Sequence, residues 1–200
     1  MKKLNYLVVV DMQNDFLTGP LGNDHCRRTI EPVCGLIRNY LKKKADTSGI
    51  FLTRDTHGKD YMKTLEGKKL PVKHCMCNSE GWLLADEINV LLIGAILHGG
   101  RTIKPVDKRT FGSFDLLDFL KSDIGSKGQL SDTLAKNGAN LTFDLCGVCT
   151  SICVLANAVL LRAKFPNAII RIHKDACGDV TEEAHEAALK VLQMQQCDIV

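Results

Sequence analysis

Residues 140–164 read NLTFDLCGVCTSICVLANAVLLRAK: a short apolar run, a cysteine-rich turn, and a longer apolar stretch. Asn140–Leu145 has the length and side-chain types of a buried strand, and Ser151–Lys164 has the length of a helix. A strand feeding straight into a helix is half of a βαβ unit. Outward from it the same alternation recurs. Asn5–Val10, Gly49–Thr53, Thr102–Val106 and Ala168–Ile172 read as further strands. Thr29–Lys43 places Ile30, Val33, Ile37 and Leu41 at helical spacing, and Phe114–Leu120 reads as a short helix. Glu182–Gln195 closes the chain as a helix, with Thr181 at its N-cap and Glu182 and Glu183 in its first turn. Glu87–His98 is apolar nearly all round, which fits a buried helix or two short elements equally well.

Strands that are continuous apolar runs, alternating with helices, predict a three-layer α/β/α fold around a mostly parallel sheet. With 200 residues, 45% of them hydrophobic, and no repeat or linker, one domain spanning 1–200 is expected. The 26 basic and 23 acidic residues leave a net charge of +3, too balanced to announce nucleic acid or a membrane surface as partner. MKKLNYLVVVDMQNDF begins like a leader peptide, but Asp11 ends its apolar run before any cleavage site, so the cytosol is the expected address. The nine cysteines are not spaced as a secreted scaffold and are expected as free thiols.

Ligands on parallel sheets sit beyond the carboxyl ends of the strands. There the sequence places Asp11, then Asp55 and His57, then Lys108, then Cys149 and Cys153. Singly, each has an ordinary structural reading: a turn aspartate, a solvated lysine, a small buried thiol. Their conjunction is what suggests chemistry. Thr150 or Ser151 is placed to cap the following helix, putting Cys153 in the first turn, where the helix dipole favours a thiolate. Cys146 reads as core. A zinc knuckle would need a second close cysteine pair, and Cys75 and Cys77 are only one residue apart; a C-x-x-C redox pair at Cys146–Cys149 would begin one turn too early. A nucleophilic Cys153 is the favoured reading.

VVVDMQNDF (8–16), VDKRTFGSF (106–114) and GVCTSICV (147–154) together resemble the active-site blocks of the isochorismatase-like cysteine hydrolases, which include nicotinamidases. The resemblance spans essentially the whole chain. It implies a catalytic set of Asp11, Lys108 and Cys153, with Lys104 the displaced competitor. It also implies a cis peptide at Val148–Cys149 that turns the Cys149 amide beside that of Cys153 to form an oxyanion site, and ring-packing roles for Phe16 and Phe111. The chain departs from the family in one respect: Ser151 stands where members often carry an aspartate.

RDTHGKDYMKTLEGKKLPVKHC (54–75) contains a second constellation. Asp55 and His57 are two apart, so an extended chain points them the same way, and Glu66 and His74 follow in a loop that can fold back. By itself this leaves a turn aspartate and surface histidines open. The resemblance implies that Asp55, His57, Glu66 and His74 hold a divalent metal, zinc first, with iron or manganese as alternatives. It further implies nicotinamide or a similar small amide as substrate, a cysteine thioester intermediate, and a homo-oligomer. Another amidase of the family, an isochorismatase-type hydrolase without metal, and a silent binding module are the competing expectations.

Overall fold

The computed structural model describes residues 2–98 and 102–200; Met1, where the leader-like stretch begins, and residues 99–101 lie outside that description. The strands are β1 (Leu4–Val10), β2 (Ser48–Asp55), β3 (Thr102–Lys108), β4 (Leu141–Val148), β5 (Ile169–Gly178) and β6 (Asp198–Ile199). They form one sheet in the order β3-β2-β1-β4-β5-β6, every neighbouring pair parallel. Between them run α1 (Asn14–Leu17), α2 (Asp24–Arg27), α3 (Ile30–Leu41), α4 (Leu65–Lys69), α5 (Asp86–His98), α6 (Phe114–Ser126), α7 (Leu130–Ala135), α8 (Leu155–Lys164) and α9 (Glu182–Met194).

The continuous apolar strands follow from burial on both faces. In β1, Tyr6, Val8 and Val10 enter a core shared with Leu116 and Leu120 of α6, Leu161 of α8 and Leu192 of α9. The alternate residues Leu7 and Val9 enter a second core with Val33 and Ile37 of α3 and Ile88 of α5. Side chains on a strand alternate faces, so a doubly covered strand has no polar side to display.

The chain leaves β1 toward β2 and β3, and later leaves β4 toward β5 and β6 in the opposite direction. That reversal, between adjacent β1 and β4, is the topological switch point where such sheets open a crevice. Asp11 and the cysteine turn lie at its mouth.

Several elements differ from expectation. Glu87–His98 belongs to a single helix, α5, but it is not buried all round: Ile88 and Leu92 are buried while Val90, Ile93, Ile96 and Leu97 are exposed. One face packs on the sheet and on α3, and the rest of the apolar surface faces outward. Helix α6 runs beyond Leu120 to Ser126, and β5 runs beyond Ile172 to Gly178. No helix of the described residues is long and apolar enough to cross a membrane.

Candidate active site

Asp11 directly follows β1, is fully buried, and adopts a left-handed backbone conformation (φ +50°). The Thr53 hydroxyl of β2 donates to its Oδ1 at 2.7 Å. Lys108, the last residue of β3, stands beside Asp55 in the β2–β3 register, and its long side chain reaches across β2. Its Nζ lies 2.7 Å from Asp11 Oδ2, 3.6 Å from Asp55 Oδ1 and 3.5 Å from Cys153 Sγ. All three members of the expected set are therefore brought into contact. Lys104 is elsewhere, with its ammonium over the Phe119 ring.

Cys153 is 6% exposed and lies in a π turn, Thr150–Val154, that leads into α8. The Cys149 carbonyl accepts the N–H groups of Ile152 and Val154, on either side of Cys153. The Val148–Cys149 peptide is cis. The expected cap is not formed: Thr150 Oγ1 donates to the Gly178 carbonyl (3.0 Å) and faces His185 Nδ1 (2.8 Å), and Ser151 turns toward Asp179. The polar partners of this turn come from the end of β5 and from α9, because the strand ladder places Gly178 beside Val148.

The electrostatics also correct the expectation of a readily ionised thiol. Burial, reinforced by Asp11 and Asp55, pushes the Cys153 thiol well above its ordinary value, with Lys108 opposing. Burial likewise raises the Asp11 carboxyl, against the pull of Lys108. Burial alone would lower Lys108, yet the carboxylates of Asp11 and Asp55 hold it above the usual lysine range. A cation thus sits between a thiol and a carboxylate that burial pushes in the same upward direction. Such a pair exchanges a proton without exposing a free charge.

Against this set stands the second constellation. His57 Nε2 lies 2.8 Å from Asp55 Oδ2 and 3.6 Å from Glu66 Oε1; His74 Nε2 lies 3.4 Å from Asp55 Oδ2 and 3.7 Å from Glu66 Oε1. Donors around a tetrahedral zinc with bonds of ~2.0–2.1 Å are about 3.3 Å apart, so two imidazole nitrogens and two carboxylate oxygens at these separations fit such an ion. His74 Nδ1 faces the Val72 carbonyl at 2.9 Å, an outer hydrogen bond that leaves Nε2 as the free donor atom. Phe16 packs on the His74 ring at 5.4 Å, and Tyr61 on the His57 ring at 4.5 Å.

The scaffold beneath both groups was not singled out from sequence. Gln13, fully buried, accepts from Asp55 N–H (2.7 Å) and donates to the carbonyls of Asp55 and Trp82 (2.9 Å each). Asp15 accepts from Cys75 N–H at 2.7 Å, anchoring the residue next to His74. Asn157, one helical turn after Cys153, donates to the Cys153 carbonyl (2.8 Å) and accepts from Ser113 N–H (3.0 Å). Gln13 and Asp15 lie inside the DMQNDF stretch; the signal was their closeness to Asp11. A cavity of about 580 Å³ adjoins the site, lined among others by His57, Tyr61, Glu66, Arg109, Phe111 and Ile152.

An isochorismatase-domain family model matches residues 5–200. No curated protein matches the chain. Among solved structures, a nicotinamidase/pyrazinamidase from Bacillus subtilis superimposes with a TM-score of 0.79 at 22% identity over 100% of both chains. A pyrazinamidase from Pyrococcus horikoshii in complex with zinc gives 0.68 at 23% identity over 98% of each. An N-carbamoylsarcosine amidase from Thermoplasma acidophilum gives 0.68 at 20% identity, covering 100% of this chain and 95% of the other. At these identities the structural likeness speaks for the fold, and the family assignment rests on the domain match across nearly the whole sequence: the chain belongs to the isochorismatase family.

Proposed function

We propose that the chain is a cysteine hydrolase of small carboxamides and, within that class, a nicotinamidase, converting nicotinamide and water to nicotinate and ammonia. The observation that carries this reading is the position of Lys108, which joins the Asp11–Cys153 pair to the four-residue donor cluster through Asp55. The nicotinamidase and pyrazinamidase neighbours support it at the level of the fold.

Asp11 takes the Cys153 proton as sulfur attacks the carboxamide carbon, and Lys108 holds the carboxylate in place while negative charge moves. The carbonyl oxygen, now carrying that charge, is received by the amides of Cys149 and Cys153, at a helix start where N–H groups lack intrahelical partners. The C–N bond breaks as Asp11 returns its proton to the leaving nitrogen, releasing ammonia and a thioester. Water, deprotonated by Asp11, then attacks the thioester carbon; the acid departs and Cys153 recovers its proton. Asp55, His57, Glu66 and His74 would hold a divalent ion, zinc in the first place, iron or manganese otherwise. When bound, it supplies a Lewis-acid site for a pyridine nitrogen and so orients the ring. Phe111 lines the cavity that would take the ring, and Phe16 packs behind it on the His74 ring.

The test measures the purified protein's metal content beside ammonia release from nicotinamide and from an aliphatic amide. About one equivalent of metal per chain is expected, lost on chelation together with nicotinamide turnover. His57→Ala should reduce nicotinamide hydrolysis far more than hydrolysis of the amide without a ring nitrogen. Full nicotinamide activity in a metal-free protein would sink the metal-oriented reading. A metal-loaded protein that ignores nicotinamide but hydrolyses another small amide would keep the reaction class and replace the substrate.

A further inference from the structure

Asp179 is a fully buried carboxylate immediately after β5, and among the described residues its donors come from Ser151 and Val180. Its Oδ2 accepts from Ser151 N–H at 2.6 Å, and its Oδ1 accepts from Ser151 Oγ at 3.0 Å and from Val180 N–H at 2.8 Å. Its own carbonyl faces the Cys26 thiol at 3.5 Å. Burying an anion is costly unless hydrogen bonds satisfy it, so a carboxylate with this arrangement is held in one place. The place follows from Gly178, which pairs with Val148 and packs so tightly on α2 that a Cβ there would stand 2.5 Å from the His25 carbonyl and 2.9 Å from Cys26 Cα. The end of β5 is thereby pressed between α2 and the turn, and Asp179 faces the start of the helix carrying Cys153.

We propose that Asp179 is a positioning residue for Cys153: its carboxylate pins Ser151 and thereby sets the π turn that presents the Cys149 and Cys153 amides and the thiol to the carboxamide. The proposal rests on the cysteine-hydrolase reading for its kinetic consequence. Asp179 touches neither substrate nor the reacting atoms. Its effect is geometric, and an oxyanion site is sensitive to geometry because its donors must lie within hydrogen-bond distance of where charge develops.

The experiment compares Asp179→Ala, Asp179→Asn and the exchanged double variant Ser151→Asp with Asp179→Ser. For Asp179→Ala we expect kcat on nicotinamide to fall about 10–100-fold, the effect of misplacing a reacting group by a fraction of an ångström, with KM moving less than about threefold. Asp179→Asn keeps the shape and should fall between; it also serves if Asp179→Ala does not fold. The double variant returns a carboxylate–hydroxyl pair to the same gap and should recover most of kcat, which a loss of fold stability alone would not predict. Unchanged kcat in folded Asp179→Ala or Asp179→Asn, a change confined to KM, or no recovery in the double variant would overturn the proposal. If the wild-type protein hydrolyses no amide, the function reading fails separately. The same variants are then compared by the rate of iodoacetamide alkylation at Cys153, mapped by mass spectrometry: an altered rate restored in the double variant supports the positioning role, and identical rates refute it.

Discussion

At the scale of single residues, the site turns on three side chains whose ionisations cannot be separated. Cys153 is buried, and burial pushes its thiol above the ordinary range while Lys108 opposes. In the proposed mechanism, proton transfer to Asp11 accompanies attack. Asp11→Asn keeps the shape and removes the base, and kcat should fall by at least ~10²-fold with substrate affinity largely kept, as steady-state kinetics would show. Cys153→Ala should abolish turnover, while Cys146→Ala, a change in the opposite core, should leave most of it. Lys108→Ala should be as damaging as Asp11→Asn and should also destabilise the fold, because it removes the cation beside two buried carboxylates. Lys104→Ala, which removes a cation–ring contact away from the site, should change kcat/KM less than about twofold. Equal losses from the two lysines would mean that Lys108 is not the cation of the site.

At the scale of elements, β4 and its turn position the chemistry, and Gly147 is their tightest point. It has φ +117°, and a Cβ there would meet the Val10 carbonyl oxygen at 2.0 Å, one residue before Asp11. Gly147→Ala should lower the unfolding free energy by about 3 kcal/mol or more, read as a shift of the urea midpoint. A wild-type midpoint would show that the neighbouring strand yields. The long elements were legible because their periodicity is strong: β1, α3, β4 and α9 fall within a few residues of the ranges read from sequence. The short helices α1, α2, α4 and α7, of four to six residues, carry no apolar period and were not seen. The cap expected at Thr150 or Ser151 does not form because local propensity proposes a capping side chain from the turn itself, whereas the Ser151 N–H is met by the Asp179 carboxylate that follows β5.

At the scale of the whole molecule, stability leans on a buried polar cluster away from the site. Asp144 of β4 accepts from Arg171 Nε and Nη2 (2.7 and 2.8 Å), faces His173 Nε2 (2.9 Å), and is hydrogen-bonded by the Tyr40 hydroxyl of α3. Burial alone would raise its carboxyl, but these partners hold it well below the usual carboxylate range. A carboxyl depressed in the folded state contributes stability that is fully present above its unfolded value of ~3.9 and lost as pH falls through the folded one. Asp144→Asn should therefore lower Tm near neutrality by about 6 °C, the equivalent of about 2 kcal/mol. The gap to wild type should stay constant down to about pH 5 and narrow below ~4. A gap unchanged at pH 3 would mean that the charge contributes little.

What the sequence determined by itself is the layered parallel architecture, together with the convergence of Asp11, Asp55, Lys108 and Cys153 on one edge of the sheet. Doubly buried strands must read as apolar runs, and a parallel sheet puts the residues after those runs on one edge, so Asp11, Asp55, Lys108 and Cys153 had to be neighbours in some arrangement. What only the tertiary structure decided is how they are joined. Strand order places β2 between β1 and β3, so Lys108 reaches Asp11 across Asp55 and touches both constellations. The roles of Gln13, Asn157 and Asp179 were equally out of reach, because each acts through a hydrogen bond to a partner that only the folded chain brings near. Apolar patterning is a property of a segment, while the partner of a buried polar atom is a property of the assembled fold, and so the core is written along the chain and the geometry of the site is not.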